Sequence, residues 1–143
     1  MVVIAAVDRS ARSSGVVERG AELADAFEDE LHVVHVLSVA EFRDIQLSTV
    51  EDSTTQIDVD RVESVAAEQA ADAAEAVDRP SQAVGLVGDP SNVLLEYAEE
   101  VDARYVVLGP RRRSPAGKAV FGSTSQSVIL NAPCPVVTTM LEE

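Results

Sequence analysis

The chain is short of the residues that most often anchor a core or a covalent framework. Aromatic residues make up only 3% of its 143 positions and tryptophan is absent, so the core must be built from Val, Leu, Ile and Ala. Cys134 is the single cysteine, which excludes an intrachain disulfide and a cysteine metal cluster. It lies between Pro133 and Pro135 in an apolar run, where a buried, unreactive thiol is expected. Lysine occurs once, as Lys118, and 11 basic residues face 25 acidic ones, a net charge of −14. Such a surface repels nucleic acid, whose recognition needs basic patches, and disfavours anionic membranes. No apolar run approaches the ~18 residues needed to cross a bilayer. The opening Val2–Val7 run is too short, and lacks the basic flank, for a signal peptide. A cytoplasmic location is expected.

What remains is ample for one domain. The chain is 46% hydrophobic, and its length suits a single unit over residues 1–143, with no linker, internal repeat or low-complexity tract to divide it. An acidic chain almost without lysine resembles proteins of salt-rich cytoplasm, where self-repulsion is screened. An acidic protein from ordinary cytoplasm is the plainer alternative.

The hydrophobic pattern alternates between two kinds of segment. Val2–Val7 is a short apolar run, read as a strand buried on both faces. After the polar stretch 8–14, Val16, Gly20, Leu23, Ala24 and Phe27 recur at helical spacing, with Glu18, Arg19, Glu22 and Asp25 between them. Leu31–Leu37 is a second buried strand. Residues 38–57 show no clear period, and a connection that long is often functional. From Asp58, Val62, Ala66, Ala70, Ala73 and Val77 mark a helix that Pro80 ends. Gln82–Val87 is a third, more polar strand expected nearer an edge. Gly88-Asp89-Pro90 then starts a helix sharply, Asp89 capping and Pro90 taking the first helical position. Val93, Leu94, Tyr97, Ala98 and Val101 form its inner stripe. Arg104–Leu108 is the fourth strand, residues 109–121 a loop, Gly122–Asn131 a short helix and Cys134–Thr139 the last strand. Strands alternating with helices imply an α/β fold, a parallel sheet with helices on both faces.

In such sheets ligands bind beyond the carboxyl ends of the strands, where strand order reverses. The loop after the fourth strand, GPRRRSPAGKAVFGST at 109–124, holds Arg111, Arg112, Arg113 and Lys118, four of the 11 basic residues. It places that charge just before a helix N-terminus, which favours an anion. Gly109 and Gly122 allow close backbone approach to a phosphate. From charge and spacing alone, a turn whose arginines pair with surface carboxylates is equally open.

The same residues carry a resemblance. Residues 109–123 resemble the nucleotide loop of universal stress proteins: glycine, two residues, glycine, nine residues, then glycine with serine or threonine. Gly109 and Gly122-Ser123 match, whereas Arg112 replaces the second glycine. NAPCPVV at 131–137 resembles the closing segment of that family, Asp8 its adenine-contacting aspartate, and His35-Val36 and Gly88-Asp89-Pro90 match as well. The likeness covers essentially the whole chain apart from 38–57.

It implies a doubly wound five-stranded parallel sheet of order 3-2-1-4-5, of the adenine nucleotide alpha hydrolase-like kind. It also implies adenine near Ala6, Asp8 and Val36, with ribose and phosphates over Gly109, Arg111, Arg112, Gly122, Ser123 and Thr124. The cofactor would be ATP or AMP, with Mg2+ or Mn2+ beside the phosphates, and a homodimer would form through the last strand near Val136–Met140. Arg112 either blocks a triphosphate or offers it a bidentate guanidinium; the basic neighbours favour the second.

Other signals fail on their own terms. Gly117-Lys118 is not a P-loop, because position 112 is Arg and position 119 is Ala. His32 and His35, three apart on a strand, point to opposite faces and read as core or strand-end residues rather than metal ligands. Ser10, Ser123 and Ser125 have no histidine placed as a base and no nucleophile elbow. A receiver-type phospho-acceptor would need an aspartate after the third strand, where Asp89 reads as a cap. The expectation is a nucleotide-binding module with weak or absent hydrolysis. Its rivals are a same-fold interaction protein that binds no nucleotide and a slow ATPase or nucleotidyl-transfer enzyme.

Overall fold

The computed structural model describes residues 1–8, 13–49, 59–109, 112–113 and 119–139. Five parallel strands form one sheet: β1 (Val2–Ala6), β2 (Glu30–Leu37), β3 (Gln82–Val87), β4 (Ala103–Leu108) and β7 (Val136–Thr138). Their spatial order is β3-β2-β1-β4-β7, which is 3-2-1-4-5 when this sheet's strands are counted along the chain. The order reverses on either side of β1, and there the carboxyl ends of β1, β2 and β4 open onto one cleft.

Period-two alternation assigns the side chains to two layers. Val3, Ala5, Val33 and Val107 pack against Val16, Val17, Ala21 and Ala24 of α1 (Ser13–Phe27) and Ala70 of α3 (Val59–Ala74). Val2, Ile4, Val34, Val106 and Leu108 pack against Leu94 and Ala98 of α4 (Pro90–Glu100) and Val128 of α5 (Ser123–Asn131). Ile4, Val3, Val33, Val34, Val106 and Val107 are fully buried, as a sheet covered on both faces requires. At Gly85, β3 meets α3 backbone to backbone: a Cβ there would lie 2.3 Å from Ala67 N and 2.4 Å from Glu63 O.

Four local expectations shift. Residues 39–49 are helical: α2 (Val39–Thr49) begins where the Ser38 hydroxyl accepts the Glu41 N–H, and Phe42 anchors it beside Leu37, Val62 and Ala66. The segment shows no clear helical period, although Ser38-x-x-Glu41 has the spacing of a capping box. The rest of the 38–57 connection, 50–57, lies outside the described residues. The α3 helix stops at Ala74, well short of Pro80, because Glu75, Ala76 and Val77 donate to carbonyls three residues back and tighten the last turn. The loop after β4 contains a two-residue antiparallel ladder, β5 (Arg112–Arg113) with β6 (Ala119–Val120). Finally, β7 is shorter than Cys134–Thr139, since Pro133 and Pro135 have no N–H to give a ladder. The more polar β3 is an edge strand, as its composition suggests.

The amino end of the sheet is closed by charge pairs. The Asp29 carboxylate, 3% exposed, accepts from Arg104 Nε at 2.5 Å and lies 3.3 Å from the Met1 ammonium. Arg104 stacks over Phe27 at 4.4 Å. Arg79 pairs with Asp25 at 3.0 Å and donates to the Asp29 carbonyl at 3.3 Å. Among the described residues no helix is long and apolar enough to cross a membrane.

Candidate functional site

A cleft of about 380 Å³ opens at the opposite, carboxyl end. Its floor is the ends of β1, β2 and β4: Ala6 and Val7, Val34 to Val36, Leu108 and Gly109. The N-terminal turns of α1, α4 and α5 converge on it, bringing Ser13, Pro90 and the run Gly122–Ser125. Leu94 and Val128 supply apolar walls, and Glu41 of α2 stands at its rim.

The helix N-termini differ in how their free N–H groups are met. At α4, Asp89 is the N-cap: its Oδ2 accepts from Asn92 N at 3.3 Å and from the Ser91 hydroxyl at 3.2 Å. Pro90, with no N–H, occupies the first turn. At α5 the N-cap is Gly122, in extended conformation and with no side-chain cap. Its carbonyl accepts the first intrahelical bond from Gln126 N at 3.0 Å. Ser123, Thr124 and Ser125 of that first turn line the cleft, and among the described residues no side chain caps the helix end there. The end of the helix with positive partial charge faces the cavity, which suits an anion.

On the other side, Asp8 is tied to α1. Ser13 Oγ accepts the Asp8 N–H at 3.1 Å and lies 3.0 Å from Asp8 O and 3.1 Å from Asp8 Oδ1, to either of which it can donate. His35 is buried at 4% exposure, with Nδ1 2.9 Å from the Val7 carbonyl, so the ring donates through Nδ1. His32 lies on the other face of β2, its Nδ1 2.7 Å from the Tyr97 hydroxyl. Both histidines are therefore core residues bound within the fold. Cys134 is half-buried rather than buried as expected, and that partial burial pushes its thiol up. Among the described residues no group of three His, Cys, Asp or Glu side chains could hold a metal ion.

Of the nine residues expected at the site from sequence, Ala6, Asp8, Val36, Gly109, Gly122, Ser123 and Thr124 line this one cleft. Arg111 lies outside the described residues. Arg112 pairs through its backbone with Val120 in the β5–β6 ladder, where extended backbone accepts any side chain. The expectation for its guanidinium lies outside the described residues. Sequence reasoning missed Ser13 and Glu41. Glu41 is signalled by its capping-box spacing from Ser38, whereas Ser13 falls in the polar stretch 8–14, which carries no signal of its own.

Comparison with known proteins gives a consistent result. A family model, that of the universal stress protein family, matches residues 1–139. A universal stress protein of Mycolicibacterium smegmatis is 39% identical over 56 residues, 39% of this chain and 42% of that protein. The stretch matched thus spans less than half the length of that curated relative. Among solved structures, a universal stress protein of Archaeoglobus fulgidus is 28% identical, with 96% of each chain covered and a TM-score of 0.61. A structure of the Archaeoglobus fulgidus protein in complex with dAMP, 24% identical, covers 96% of this chain and 94% of its own at a TM-score of 0.57, which shows a shared fold.

Proposed function

The chain belongs to the universal stress protein family, and from that premise we propose that its cleft binds an adenine nucleotide, ATP or AMP. In this reading Ala6, Asp8 and Val36 hold the base. Gly109, Gly122, Ser123 and Thr124 receive ribose and phosphates, and Arg111 and Arg112 reach the phosphates from the loop after β4. The observation that carries the reading is the contrast between two helix N-termini on one cavity: α4 is closed by its own Asp89, whereas α5 is open and lined by hydroxyls. The dAMP bound to the Archaeoglobus fulgidus protein supports it as a precedent within the fold. Mg2+ or Mn2+ would be carried by the phosphates, since the described side chains offer no set of three ligands.

The protein then acts as a binding module in stress response or signalling, its occupancy altering the surface it shows to partners. Without a placed catalytic base, hydrolysis is weak or absent. The acidic, lysine-poor surface fits a salt-rich cytoplasm. A homodimer through β7 would cover an edge strand that has a partner on only one side and lies close to α5, where Leu130 is 81% exposed. The test is direct: ATP and AMP are titrated against the purified protein by calorimetry and melting temperature, and the protein as isolated is assayed for bound nucleotide by mass spectrometry. Saturable binding with a raised melting temperature is expected. No bound nucleotide and no shift with either ligand leaves the nucleotide-free interaction protein as the reading.

A further inference from the structure

The Ser13 hydroxyl makes an unusually complete set of contacts with one other residue. Its oxygen accepts from Asp8 N at 3.1 Å and is within hydrogen-bond reach of both Asp8 O, at 3.0 Å, and Asp8 Oδ1, at 3.1 Å. Ser13 is 5% exposed and opens α1, so its position is set by the packing of Val16 and Val17 against the sheet. Asp8 by contrast is exposed and follows β1. Both residues line the cleft. A rigid, buried hydroxyl therefore grips an exposed carboxylate at the ligand side and fixes both its backbone and one of its oxygens.

We propose that Ser13 is the positioning residue of the nucleotide site: it holds the Asp8 carboxylate in the orientation in which Asp8 meets the ligand. The inference rests on the nucleotide reading above and adds to it a residue that touches Asp8 rather than the nucleotide. Its physical content is preorganisation. Each contact that narrows the orientations of the Asp8 carboxylate lowers the cost that a ligand needing one of them must bear, and the Ser13 hydroxyl is one such contact. With Ser13 in place that cost is met on folding. Without it, binding weakens by roughly three- to tenfold, the range expected for ordering one polar side chain.

The experiment is a double-mutant cycle read by nucleotide titration, with melting temperature measured in parallel. Ser13→Ala is expected to weaken AMP and ATP binding roughly three- to tenfold, and the loss is expected to vanish in an Asp8→Ala background. Ser13→Thr, which keeps the hydroxyl, restores affinity. Ser13→Cys, of similar size but a weak donor, folds and binds like Ser13→Ala, which keeps the test decisive if the alanine variant is unstable. Equal affinity for wild type, Ser13→Ala and Ser13→Cys overturns the proposal while leaving nucleotide binding intact. A loss that persists at full size in the Asp8→Ala background also overturns it, because Ser13 would then act independently of Asp8. A wild-type protein that binds no nucleotide refutes the underlying reading and this inference with it.

Discussion

At the amino end of the sheet the Asp29 carboxylate is buried and meets Arg104 and the Met1 ammonium, while Arg79 meets Asp25. At the carboxyl end, the α5 N-terminus has no side-chain cap among the described residues, and Ser123, Thr124 and Ser125 line an open cavity of about 380 Å³. One sheet thus has an end whose charges are answered from within the chain and an end that leaves donors for something else. The first end should govern stability and the second affinity.

Four measurements press on that division. Asp29→Ala carries the largest expected effect, a loss of about 2–3 kcal/mol in denaturant unfolding, because it strips a buried carboxylate from charged partners. Nucleotide affinity per folded molecule should be unchanged; a fall beyond twofold would show that the two ends are coupled. Gly122→Asp sharpens the contrast from the other side. A carboxylate at that N-cap closes α5 as Asp89 closes α4, which should weaken nucleotide binding by roughly tenfold, through competition and repulsion, and stabilise the free protein by about 1 kcal/mol. Opposite signs in titration and melting are the diagnostic result. Asp89→Ala should cost about 1 kcal/mol of stability through the lost cap, with no loss of affinity, since Asp89 caps α4 and is not among the residues lining the cleft.

The smallest effect is confined to acid. Arg104 first, and then the N-terminal ammonium, hold the Asp29 carboxyl below its ordinary value against the cost of burial. A lowered carboxyl contributes stability that is present above its unfolded value and is lost as pH falls through the folded one. Unfolding followed from about pH 5 downward should therefore steepen below about pH 4 in the wild type and be flatter in Asp29→Asn. Parallel curves for the two would mean that another carboxylate governs the acid limb.

The division was only partly legible in the residues. The strands of the parallel sheet announce themselves because strands buried on both faces are near-continuous apolar runs, as Val2–Val7 is throughout and Leu31–Leu37 is apart from His32 and His35. The α4 cap was legible because Asp89-Pro90 combines two independent local preferences. The cleft residues were legible through loop chemistry, Gly109 and Gly122-Ser123, reinforced by the family likeness. Helix α2 was hidden because its segment, VAEFRDIQLST, spaces its apolar residues without a clear helical period. The β5–β6 ladder is two residues long, too short for any alternation to register. The amino-end cluster joins residues 75 positions apart, Asp29 and Arg104, and no local pattern encodes such a meeting. The Ser13–Asp8 contact joins residues five apart in sequence, outside the spacings that helices or strands make recognisable.

The contact of β3 with α3 at Gly85 has a consequence for how variants of this chain would be misjudged. Strand and helix there are separated by bare main chain, so any added carbon must pry them apart like a wedge. Three residues later comes Gly88, at φ 139°, and then the turn that delivers Pro90 and Leu94 to the cavity wall. A substitution at Gly85 would thus mimic damage to the cavity although Gly85 is not among the residues that line it.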